Sequence, residues 1–170
     1  MKNILSILGT IALIGTSTTS LAACNIKPQY TEEQLKELKE EKNIKVKTND
    51  GKNGILEWMA PQEKPFNTVD NKYYFVVWRS DTSNNWRIIK FLNDTNSKKE
   101  LDSYGRYKLI FKEYSPFYDF TLLIRGERGD ADHTWKDDNG TYFKFLYRWN
   151  LVDKPAPDLY LDHNNNINVK

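Results

Sequence analysis

The sequence predicts a mainly β domain, an antiparallel sandwich or barrel of about six to eight short strands preceded by a short N-terminal helix. Three observations carry this. From Asn43 onward apolar and polar residues alternate with a period of two, as along half-buried strands. Gly, Pro, Asn and Asp punctuate that pattern at regular intervals. Aromatic residues make up 14% of the 170-residue chain, enough apolar area to build a core where a disordered chain lacks it. An α+β fold, with the helix packed on the sheet, is the alternative.

The helix comes first. Thr31-Glu32-Glu33-Gln34 has the spacing of a capping box, and Tyr30 and Leu35 stand where a hydrophobic staple needs them. Leu35 and Leu38 share one face, so a short helix is expected over 31–42. Two leucines suffice either to dock it on the domain or to leave it as a stalk. They are too few for a coiled coil.

The strands follow in order. Ile44, Val46 and Thr48 alternate with Lys45 and Lys47, and Asp50-Gly51 and Asn53-Gly54 read as turns before a strand from Gly54 to Met59. Lys72 to Arg79 is apolar on both faces and should be central. Trp86 to Leu92 returns as its hairpin partner, and Asn93 to Lys99 reads as a loop. Tyr107, Leu109 and Phe111 mark a half-exposed strand, and Asp119 to Arg125 another. Asn139-Gly140 carries the signal of a tight hairpin turn. After it, Thr141, Phe143, Phe145, Tyr147 and Trp149 should share one face. Leu159 to Leu161 adds an edge strand. The expected organisation is therefore a leader over 1–23, a spacer with the helix over 24–43, a β domain over 44–162 and a polar tail over 163–170.

The leader reads MKNILSILGTIALIGTSTTSLAAC. Lys2 is a short positive region, Ile4 to Ile14 an apolar one, and a small-residue stretch follows. That array is a signal peptide, too short for a stable transmembrane anchor. Leu21-Ala22-Ala23-Cys24 resembles the lipobox of bacterial lipoproteins. The resemblance implies cleavage before Cys24 and a diacylglyceryl group on its thiol, two acyl chains being what stable anchoring requires. The leader as a whole is similar to those of mollicute lipoproteins of the Spiroplasma type. Tyr73 to Phe91 (YYFVVWRSDTSNNWRIIKF) resembles a group of such lipoproteins of unassigned role. The resemblance implies display on the outer face of the cell membrane, held to the bilayer through the Cys24 lipid, and says nothing of catalysis.

Charge excludes one class of partner. Lys2 is the one charged residue before Cys24, so the remainder carries 24 Lys and Arg against 23 Asp and Glu. Such a balance provides no drive toward nucleic acid. Cys24 is the single cysteine, so no intrachain disulfide supports the fold.

Catalytic motifs are absent from the sequence. No Gly-x-Ser-x-Gly elbow and no phosphate-binding glycine loop occurs. Glu57, Glu113, Glu127 and Asp119 are carboxylates that an unrecognised hydrolase site would have to draw on. Asp130, Asp132 and His133 invite a metal reading, but the run lacks the glycine and closing glutamate of a calcium loop, and a solvated loop accounts for it better. No metal and no cofactor is expected. The aromatics are the other lead. Trp58, Trp78, Trp86, Trp135 and Trp149 include three with a neighbouring arginine, Arg79, Arg87 or Arg148. Strand tryptophans usually form core, so Trp78 and Trp149 should be buried. Trp86 and Trp135, beside loops, are the candidate binding aromatics. The expected function is a non-enzymatic, adhesin-like module engaging a host or cell-surface protein or glycan. A coat or antigenic protein, or a surface hydrolase, are the alternatives.

Overall fold

A computed structural model describes residues 29–48, 51, 53–114, 119–127, 132–152 and 154–170. The expected signal peptide over 1–23 and the expected lipobox Leu21-Ala22-Ala23-Cys24 lie outside the described residues.

The helix forms as its sequence dictates. Helix α1 spans Glu32–Lys42, and the capping box closes in both directions: the Gln34 N–H donates to Thr31 Oγ1 at 3.2 Å, and the Thr31 N–H to Gln34 Oε1 at 3.0 Å. Leu35 and Leu38 pack against buried residues of the sheet, so the helix is docked and is not a stalk.

The fold is mainly β. Strands β1 (Ile44–Lys47), β2 (Asn53–Trp58), β3 (Tyr73–Trp78), β4 (Arg87–Leu92) and β9 (Phe143–Trp149) form one antiparallel sheet in the order β1-β2-β9-β3-β4. Strands β5 (Lys99–Tyr104), β6 (Tyr107–Tyr114), β7 (Asp119–Gly126) and β8 (His133–Thr134) form a second in chain order. A separate hairpin joins β10 (Leu159–Leu161) to β11 (Ile167–Val169). The expected polar tail thus contributes a strand: Leu161 pairs with Ile167, and Asp162 accepts the N–H groups of Asn164 and Asn166 to turn the chain between them.

Two cores explain why β3 is apolar on both faces. On the inner face Tyr74, Val76 and Trp78 meet Leu109, Phe111, Leu122 and Ile124 of the second sheet, as in a sandwich. On the outer face Phe75 lies with Val46, Leu56, Trp58, Tyr147 and Trp149, under Leu35 and Leu38 of α1 and Leu159 and Ile167 of the last hairpin. The five-stranded sheet is therefore the middle layer of three.

Three local expectations are corrected. Asn53-Gly54 does not turn; it enters β2, and among the described residues the chain turns between β1 and β2 at Gly51, whose N–H donates to Thr48 O at 2.9 Å. Asn139-Gly140 does not close a hairpin, because β8 and β9 belong to different sheets and the segment between them crosses from one to the other. Asp138 organises that crossing by accepting the N–H groups of Gly140, Tyr142 and Phe143. Finally, the residues of β9 do not share one face. The register shifts so that Val77 faces Phe145 but Trp78 faces Phe143, which leaves Lys144 as an extra residue. Phe143 thereby joins the inner core, while Phe145, Tyr147 and Trp149 remain on the outer side.

Candidate functional site

One end of the sandwich gathers arginines and aromatic rings. Trp78 closes β3 opposite Arg87 at the start of β4, and Tyr104 closes β5 opposite Tyr107 at the start of β6. Asp102 ties the two sheets together here. Its Oδ2 accepts the fully buried Trp78 indole N–H at 3.1 Å and Arg87 Nε at 2.9 Å, and its Oδ1 accepts Arg87 Nη2 at 2.9 Å. That bidentate bond holds the Arg87 guanidinium protonated above its ordinary range. The same guanidinium sits 4.9 Å over the exposed Tyr104 ring.

Beside it, Arg79 lies 4.5 Å over the half-buried Trp86 ring. Arg79 is fixed in that pose, since Nε donates to Thr141 O at 2.6 Å and Nη1 to Thr82 O at 3.0 Å. Arg106 covers Tyr107 at 5.4 Å. Three guanidinium–ring pairs therefore stand on adjacent loops of one end. In the β3–β4 loop, Asp81 accepts the Ser83 N–H and hydroxyl, bonds that hold its carboxyl below the usual carboxylate range.

The structure separates the two candidate binding tryptophans. Trp86 stays partly open to solvent at this end. Trp135 was expected to be exposed, and that expectation is corrected: it is 6% exposed, in edge contact with Phe66 at 5.7 Å between ring centres. A three-residue 3₁₀ turn, Trp135–Asp137, closes the side of the sandwich beyond β8 and turns the indole into the inner core. Trp78 and Trp149 are buried as expected. Arg148 turns away from Trp149 and pairs with Glu57 at 2.8 Å. Asp102 and Tyr104 were not singled out in the sequence, and Tyr107 was read there as a strand residue and not as part of a binding surface. Tyr104-Gly105-Arg106-Tyr107, with its turn glycine, carried the available signal.

A second feature is a groove of about 960 Å³ along the α1 side. Gln29, Tyr30, Lys42, Trp58 and Gln62 line one part of it, and Lys136, Tyr142 and Lys144 another. Strand β9 bounds it. Only Tyr147–Trp149 pairs with β2, whereas β3 pairs with β9 from Phe143 to Arg148.

The carboxylates do not assemble. Glu57 belongs to a polar network in which Arg148 also approaches Asp70 at 3.6 Å, and Asp70 accepts the Tyr74 hydroxyl at 2.9 Å and Asn93 Nδ2 at 3.0 Å. Burial, then the Asp70 charge, raises the Tyr74 phenol far above its ordinary value, so it stays a neutral donor. Asp119 pairs with Lys64 at 2.9 Å and Asn67 at 2.8 Å, which lowers its pKa. Glu113 and Glu127 are exposed. Among the described residues no hydrogen bond joins any two of these four carboxylates.

Of the Asp130, Asp132 and His133 run, Asp130 lies outside the described residues. Asp132 makes two bonds to Arg125 at 3.0 and 2.6 Å, and these lower its pKa. The His133 ring stacks on Tyr142 at 3.7 Å. Among the described residues, no group of three or more His, Cys, Asp or Glu is placed to hold a metal, and no helix is long and apolar enough to cross a membrane. Compared with protein-family models, curated proteins and solved structures, the chain matches none.

Proposed function

We propose that this chain is a lipid-anchored surface protein of a bacterial membrane, held by acyl chains on Cys24, whose arginine–aromatic end binds a cell-surface protein or glycan. The anchor rests on the leader and on the small residues Ala22 and Ala23 before the single cysteine. The binding role rests on one observation above the others. Trp86 is partly exposed and is held by a guanidinium that is itself fixed by two backbone carbonyls. Tryptophan and arginine dominate binding hot spots, and a side chain already ordered loses little entropy when a partner arrives. Tyr104, exposed beneath Arg87, widens the same surface.

The test is a pull-down from host-cell membrane extract, together with a glycan array, using the protein from Asn25 to Lys170 immobilised through its C-terminus. A saturable partner lost in Trp86→Ala and weakened in Tyr104→Ala is the expected result. Binding that survives both changes overturns this face as the site. Binding to nothing in either format removes the support for a binding role. Replacement of Cys24 by Ser should release the protein from the membrane fraction or block its processing; membrane retention unchanged by that replacement overturns the anchor.

A further inference from the structure

We infer that the groove beside α1 is the membrane-facing side of the domain, lying against phospholipid headgroups. This rests on the lipid-anchor reading and adds an orientation to it. Gln29 is five Cα steps beyond Cys24, and each step spans at most about 3.8 Å. An acylated Cys24 at the bilayer surface therefore holds Gln29 within about 19 Å of it.

The domain cannot use a stalk to stand farther off. The next residue, Tyr30, is already clamped: its N–H donates to Gln62 Oε1 at 2.7 Å, and its carbonyl accepts Gln62 Nε2 at 2.9 Å. Its ring meets Trp58 edge-on at 6.3 Å. Helix α1, which follows at once, is docked on the sheet. Gln29, Tyr30 and Gln62 all line the groove, so the point where the tether enters and the groove are one surface.

The chemistry of that surface suits headgroups. Lys42 extends over the Trp58 ring at 4.5 Å, an apolar stem ending in an ammonium, and Lys144 lies over Phe145 at 5.3 Å with its ammonium donating to the Asn165 carbonyl at 2.8 Å. Half-buried Tyr30, Phe120, Tyr142 and Phe145 are rings of the kind that partition to a bilayer interface. The three carboxylates of the groove are committed to protein partners. Asp119 is held by Lys64 and Asn67, Asp137 accepts the Thr134 hydroxyl, and Asp138 caps backbone N–H groups. The groove meets the arginine–aromatic end at Thr141, which lines it and whose carbonyl accepts Arg79 Nε, whereas Arg87 and Tyr104, on β4 and β5, are not among the residues that line it.

Because Cys24 is the single cysteine and its thiol is acylated in the proposed mature form, an introduced cysteine is the sole free thiol. The lipidated protein would be purified from membranes as Asn139→Cys, on the groove, and as Ser103→Cys, on β5 at the far edge of the second sheet. Both positions are exposed, so neither change reaches the core. Each would carry a fluorophore and be reconstituted into phosphatidylcholine–phosphatidylglycerol vesicles containing headgroup-spin-labelled lipid. Several-fold stronger quenching at position 139 than at 103 is expected. Equal quenching, or stronger quenching at 103, overturns the orientation while the anchor stands. Absence of lipid on Cys24 by mass spectrometry, with protein that does not float with vesicles, overturns the anchor and this inference with it.

Discussion

Gly54 lies directly beneath the indole of Trp149. A Cβ built on Gly54 would fall 1.9 Å from Cη2 of that ring and within 2.7 Å of two further ring carbons. The glycine is buried and in a strand, where it costs backbone entropy, and the packing of a fully buried tryptophan accounts for its presence. Gly54→Ala is therefore expected to destabilise the protein by about 1–3 kcal/mol, the usual cost of overpacking. Gly105→Ala is the informative contrast, since nothing lies within 4 Å of its Cβ position and its φ of +60° is the sole penalty. Urea denaturation of the two variants checks this, and a Gly54→Ala midpoint equal to that of the parent would count against the contact.

The N-cap of α1 supports the layer that covers the outer core. Thr31→Ala removes the acceptor for the Gln34 N–H, and a loss of about 1 kcal/mol is expected. Thr31→Ser keeps the hydroxyl and should restore most of it. Equal losses in the two variants, measured by thermal or urea unfolding, would show that the threonine acts by something other than its hydroxyl.

Much of this architecture was legible in the residues. Tyr73 to Trp78 reads as central because it is apolar on both faces, and the second covering layer explains why both faces needed to be. The capping box placed α1 to within a residue. What the pattern could not carry was the partner of each segment. Lys99–Tyr104, a polar sequence, is a strand because it runs along the outer edge of its sheet, where only one side pairs. Asn139-Gly140 has hairpin chemistry, yet the flanking strands lie in different sheets, and local turn preference cannot decide that. Trp135 was expected to be exposed because it stands beside a loop, but a 3₁₀ turn points three consecutive side chains in different directions. The arginine–aromatic end was half visible: Arg79 and Trp86 are near in sequence, whereas Asp102 and Tyr104 reach them only through pairing between strands.

Asp102 offers a prediction about that end. Asp102→Ala removes both acceptors of the Arg87 guanidinium and leaves the buried Trp78 N–H without a partner. An unpaired buried donor and a broken bidentate pair together should cost about 2–4 kcal/mol. Asp102→Asn retains a carbonyl oxygen and should cost less. A red or blue shift of tryptophan emission in Asp102→Ala, beyond that in Asp102→Asn, would report the changed surroundings of Trp78. If the two variants unfold at the same denaturant concentration as the parent, the carboxylate is not the tie between the sheets.

Stability should fall in alkali through Tyr147. Burial pushes its phenol up to about 12 from an ordinary 10.0, and its hydroxyl donates to the Lys42 carbonyl at 3.1 Å. The folded value lies above the unfolded one, so the unfolded chain releases this proton first. The contribution is complete below about pH 10, and it is lost as pH rises from there through about 12. Tyr74 acts in the same direction. Urea midpoints should therefore drop as pH rises above 10, while the phenolate absorbance of the unfolded chain grows. Tyr147→Phe deletes one hydrogen bond and should lower stability at neutral pH by about 1 kcal/mol. It also deletes one of the phenols that make alkali destabilising, so its midpoint should fall less steeply than that of the parent above pH 10. An equally steep fall in the variant would show that Tyr147 does not carry this dependence.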